Sequence, residues 1–152
     1  MSSLLFEKLQ SNLIESLKAK EELKASTLRY LISAIKNRII ELRPLNKELD
    51  DDEVIALISK QIKQRKESIA EFEKGGRKDL ADKEQAELKI LEAYLPQQMT
   101  EEEVKVLVDS AVAESGAKMA SDMGKVMAIL VPKTKGKADG ALVSRLVKEK
   151  LS

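Results

Sequence analysis

A chain of 152 residues with 43% hydrophobic and 35% charged side chains holds enough apolar material to bury a core and too much to stay disordered. It has no cysteine and no histidine, which excludes disulfides, thiolate nucleophiles, Cys-based metal sites and the imidazole base common in hydrolases. The net charge of +1 conceals an asymmetry: from residue 117 onward eight Lys/Arg face three Asp/Glu, a net of +5 that leaves −4 on the first 116 residues and points to a polyanionic partner.

With two Phe, two Tyr and no Trp the core has to be aliphatic, and the abundance of Leu, Ile, Ala, Lys and Glu favours helix. Leu5, Leu9, Leu13 and Leu17 recur every four residues and predict an amphipathic helix over 2–19. The opening segment has no basic residues leading into an apolar run, so neither a signal nor a transit peptide is expected. No stretch reaches the roughly 18 apolar residues of a membrane span, and a cytoplasmic setting with no membrane partner follows as an expectation.

After Ser26-Thr27, read as a cap, Leu28, Leu31, Ile32, Ile35, Ile39 and Leu42 predict a second helix ending before Pro44. The acidic run Asp50–Glu53 opens a third, with Val54, Leu57, Ile58, Ile62, Ile69 and Phe72 on its apolar side. That run lacks the alternating ligands and turn glycine of a calcium loop, so it reads as helix-start charge. Gly75-Gly76 breaks the third helix, and Asp79 is expected to cap a fourth carrying Leu80, Leu88, Leu91 and Leu95.

Pro96 stops that helix and begins a linker over 96–100 between an N-terminal domain, 1–95, and a C-terminal domain, 101–152. Thr100 and Glu103 have the spacing of a capping box ahead of Val104, Leu107, Val108, Ala111 and Val112, and Ser115-Gly116 ends this helix. A sixth holds Met123, Val126, Met127 and Leu130 and is predicted to stop at Pro132. A last one starts near Asp139 and buries Leu142, Val143, Leu146 and Val147. No strand alternation competes, so the predicted fold is all-α: four longer helices and then three shorter ones.

Within the basic tail, Lys125, Lys133, Lys135, Lys137, Arg145 and Lys148 are the candidate nucleic-acid-binding residues. Lysines spaced by small residues in PKTKGKADG allow close approach to an anion, and the amino end of the last helix would favour a phosphate. Six phosphate contacts would give a slope of log K against log salt of roughly −4 to −5. Met119, Met123 and Met127 share a helix side and read as core, and Gly124 is assigned to close helix packing. Lys60, Lys63, Arg65 and Lys66 form a second basic cluster, explained by intrahelical pairs such as Lys63–Glu67 or by a wider RNA footprint. No base stands near Ser26 or Thr27 to make either a nucleophile, and Lys135-Gly136-Lys137 lacks the flanks of a P-loop. No catalytic constellation, metal site or cofactor motif is expected.

Ser26–Arg29, Ser33–Asn37, Lys63–Ile69, Phe72 with Gly75–Arg77, Glu87-Leu88 and Tyr94–Pro96 stand in order along the chain. They are followed by Met123–Met127, Gly136–Gly140 and Val143-Ser144. Together these stretches resemble the GatB/YqeY family over essentially the whole chain, and within it a stand-alone bacterial YqeY-like protein. The resemblance implies a helical N-terminal domain and a small C-terminal three-helix domain, as in the tail of the B subunit of tRNA-dependent amidotransferases. That tail helps to hold tRNA, while amide transfer takes place in a separate catalytic domain without a counterpart here. A non-catalytic role on tRNA or another structured RNA is therefore expected. A helical adaptor docking on an aminoacyl-tRNA synthetase or amidotransferase is the alternative. The label of carbon–nitrogen ligase with glutamine as amide donor would come to the chain only through the amidotransferase.

Overall fold

The computed structural model describes residues 3–152, which are 80% helical with no strand among them. The helices are α1 Leu4–Lys18, α2 Glu22–Leu42, α3 Asp51–Lys74, α4 Lys78–Glu92, α5 Glu101–Ser115, α6 Met123–Thr134 and α7 Gly140–Leu151. Short 3-10 turns follow α2 at Arg43–Leu45 and precede α6 at Ala120–Asp122. None of these helices is long and apolar enough to cross a membrane. The chain divides into two compact units, Met1–Leu95 and Pro96–Ser152.

In the first unit the aliphatic stripes read from the sequence converge. Leu9, Leu28, Leu31, Ile35, Leu42, Val54, Ile58 and Leu91 are buried almost completely in one cluster. Leu17 breaks the expected α1 stripe and is half exposed. The predicted start of α1 at residue 2 lies outside the described residues, and Ser3 caps the helix by accepting from the Phe6 N–H at 3.0 Å. Asp50 caps α3 in the same way, from the Glu53 N–H at 2.8 Å, which accounts for the acidic run.

Two expected caps lie elsewhere. Ser26 and Thr27 sit one turn inside α2, where both hydroxyls donate back to the Leu23 carbonyl rather than accept from orphan amides. Asp79 lies in the first turn of α4, after an N-cap at Arg77, and its carboxylate takes two hydrogen bonds from the Arg77 guanidinium. That guanidinium is the main reason the Asp79 carboxyl is held below its ordinary pKa.

In the second unit α5, α6 and α7 pack around Val104, Val108, Val126, Leu130, Val143 and Val147. The Thr100–Glu103 capping box is present in both directions, and Gly116 ends α5. Arg145 on α7 bonds Glu101 and Lys150 bonds Asp109, so α5 and α7 run side by side in the same direction. The turn after α6 bonds the residues just before α5, so α6 runs against both.

Pro132 does not stop α6. It occupies the last turn, where its missing N–H forfeits one bond only, and the Lys135 N–H still reaches the Val131 carbonyl at 3.0 Å. Met119 is 59% exposed and precedes the 3-10 turn, so it does not extend the stripe of Met123 and Met127.

Candidate functional site

The centre of the basic tail is a closed turn. Lys135 has φ −56° and ψ 121°, Gly136 has φ 73°, and the Lys137 N–H donates to the Thr134 carbonyl at 2.9 Å. These are the marks of a type II turn, whose third position demands a left-handed backbone and hence glycine. Thr134, nearly buried, anchors the turn through its hydroxyl to the Leu130 carbonyl at 3.0 Å.

The residues before α5 clamp the turn from the other side. The Met99 N–H donates to the Lys137 carbonyl at 2.8 Å, and the Gln98 amide donates to the Gly136 carbonyl at 2.8 Å. The stretch expected as a linker thus works as a strap across the basic turn. Lys133, Lys135 and Lys137 are all exposed on this fixed backbone, and Lys133 and Lys137 make no ion pair among the described residues.

The other three candidates stand apart. Lys125 lies eight residues before Lys133 on α6, about 12 Å along the axis at 1.5 Å per residue. Its ammonium is 3.8 Å from the Asp122 carboxylate. Arg145 gives one hydrogen bond to Glu101 at 2.6 Å and one to Glu149 at 3.0 Å, and these carboxylates hold its pKa above the ordinary value. Its charge is largely spoken for. Lys148 is exposed near the far end of α7.

The amino end of α7 is not the anion site that the sequence suggests. The Asp139 carboxylate caps it, taking the Ala141 N–H at 3.1 Å, and a phosphate there would meet a like charge. Gly124 has no packing role either, because a Cβ built on it meets nothing within 4 Å.

In the first unit Arg65 leaves the basic cluster in which the sequence places it. It turns inward, with a side chain 12% exposed, and donates to Glu84 at 3.1 Å and to Glu87 on α4. No Lys63–Glu67 ion pair forms among the described residues. The sequence offered one faint signal of this inward turn: polar Gln61, Arg65 and Ser68 fall at helical spacing between the apolar Ile58, Ile62 and Ile69.

Residues 6–151 match the family described as Yqey-like protein, and the chain belongs to that family. Relatives include the Altered inheritance of mitochondria protein 41, mitochondrial, of Kluyveromyces lactis, 38% identical over 125 residues that cover 78% of this chain and 66% of that protein. The protein of the same name from Saccharomyces cerevisiae strain YJM789 is 37% identical over 116 residues, 72% of this chain and 62% of its own length. The chain thus spans just under two thirds of the length of these relatives. Both are yeast proteins named as mitochondrial, which overturns the expected cytoplasmic setting and stands against the bacterial one. The physical reason is that cysteine usage and apolar run lengths report redox and bilayer chemistry, and a mitochondrial address is neither.

Proposed function

We propose that this chain is a non-catalytic RNA-binding module that grips folded tRNA, by shape and phosphate, at the basic turn of its second unit. The observation that supports this reading most is the strapped type II turn holding Lys133, Lys135 and Lys137 outward on one short segment. A preorganised backbone spares the ordering entropy that a mobile lysine loop would lose on binding. Few aromatic side chains are available to stack on bases, so phosphate carries the affinity.

Three lysines replace the six contacts first expected, and the salt dependence is correspondingly shallower. The variant K133E/K135E/K137E is expected to bind tRNA more weakly and to flatten the log K against log salt slope by about 2–3, at roughly 0.7–0.9 per lost contact. Filter binding across a salt series measures both. An unchanged affinity and slope would remove the turn from the interface. The relatives' names make mitochondria the setting in which to look first for the bound RNA.

A second reading is a protein adaptor, favoured by Ile14 and Leu17, half exposed one turn apart on α1. Apolar docking survives salt that strips RNA, so a protein partner retained at high salt after nuclease treatment supports it. An amidotransferase activity is tested directly by turnover of misacylated tRNA with glutamine.

A further inference from the structure

The first unit contains a polar pocket of about 400 Å³ that the basic turn does not explain. Tyr30 on α2, Gln61, Gln64 and Arg65 on α3, and Glu84 and Glu87 on α4 wall it. Its size falls in the range that holds a small ligand. Gln61 is only 6% exposed, yet its Oε1 has no hydrogen-bond partner. Native structures leave few buried acceptors unmatched, because each costs a desolvation penalty that nothing returns.

Arg65 supplies the chemistry. Its Nη1 donates to both glutamates and fixes the guanidinium from one side. Its Nε is buried without a partner, and its Nη2 makes no hydrogen bond among the described residues. The edge formed by these two nitrogens therefore carries two parallel donors that no protein acceptor takes among the described residues.

A carboxylate or phosphate would supply such a pair, but the charge is already balanced. Arg65 and Lys83 stand against Glu84 and Glu87 around the pocket, so a further anion has no counter-charge. A neutral planar group with two adjacent acceptors fits instead. The O6 and N7 atoms of guanine are the pair that an arginine fork reads. The other side of guanine carries N1–H and an amino group, donors suited to an acceptor such as Gln61 Oε1. Tyr30 adds a ring face, 62% exposed and 6.0 Å from the guanidinium carbon, on which a base can stack.

We infer that this pocket takes a guanine base, held by Arg65 and Gln61 beside Tyr30, either as a free nucleotide or unpaired in RNA. The site lies in the first unit and does not rest on the basic turn of the second.

The test titrates the full-length protein calorimetrically with guanosine and adenosine 5′-monophosphates, and with uridine-run oligonucleotides carrying one central guanine or none. At least tenfold tighter binding of guanosine than adenosine monophosphate supports the inference with the free nucleotide as source. The same preference confined to the guanine-bearing oligonucleotide supports it with RNA as source. Y30A, at a largely exposed position that leaves the Arg65 bonds alone, is expected to weaken guanine binding about 5- to 150-fold, the loss of one stacked ring. K133E/K137E is expected to keep the guanine preference even where it lowers overall RNA affinity. No guanine preference in either arm, or a preference that a folded Y30A retains in full, overturns the inference.

Discussion

At Gly136 the left-handed φ of 73° closes the turn, and the Lys137 carbonyl beyond it receives the Met99 strap. An alanine there would put a Cβ against its own carbonyl, at roughly 1–2 kcal/mol. G136A is therefore expected to lower the unfolding free energy of the second unit by about that much and to weaken tRNA binding with no charge altered. Thermal melts and filter binding on the same sample check the pair of effects. Asp122 makes a pH-dependent contribution. Its carboxylate accepts from the backbone N–H of Lys118 at 3.0 Å and of Met119 at 3.4 Å, with Lys125 nearby, and these hold its pKa below the ordinary value. A carboxyl depressed in the folded state stabilises above its unfolded pKa, near 4, and loses that contribution as pH falls through the folded value. D122A is expected to melt earlier than the parent at pH 7, with the gap closing as the pH falls below the unfolded value and through the lower folded one. Residue-scale reading succeeded where donor and acceptor lie within one turn in sequence, as at Thr100 and Glu103. It failed at Asp79, in the first turn of α4, and at Ser26 and Thr27, one turn inside α2, where a polar side chain near a helix start looks the same as a cap.

Arg65 shows why elements are harder to read than caps. In sequence it stands among Lys60, Lys63 and Lys66, and its partners Glu84 and Glu87 lie 19 and 22 residues away on another helix. Helical periodicity assigns a side chain to a face but does not say which helix that face will meet. The result ties α3 to α4 with a largely buried ion pair, its two side chains 12% and 11% exposed. Such a pair is weak evidence of net stabilisation, yet removing one member strands the others. R65L leaves two carboxylates facing one apolar side chain and is expected to cost about 3 kcal/mol, read in urea as a lower midpoint with an unchanged slope. Pro132 gives the complementary lesson. Proline marks helix stops by rule, but one turn from the end only a single bond is forfeited, and the chain carried α6 on to Thr134.

At the scale of the whole molecule, charge was legible as a total and misleading as a map. A count broken at residue 117 sets +5 against −4, whereas the structural boundary falls at Leu95/Pro96. Counted by unit, eighteen Lys/Arg balance eighteen Asp/Glu in the first, and nine face eight in the second, a net of +1. The acids of α5 share a unit with the basic tail and neutralise part of it through Glu101–Arg145 and Asp109–Lys150. What survives is a local basic turn, not a cationic domain. The two apolar cores share no residue, so each unit carries its own folding drive. A chain as short as Pro96–Ser152 is marginal as an independent domain. It gains from a full capping box, a glycine-terminated α5 and nine buried core side chains. Expressed alone, it is expected to melt in a single cooperative transition by far-ultraviolet circular dichroism and to keep its Thr134–Lys137 turn. A shallow, non-cooperative melt would mean that the second core does not suffice, and that the basic turn depends on the rest of the chain for its shape.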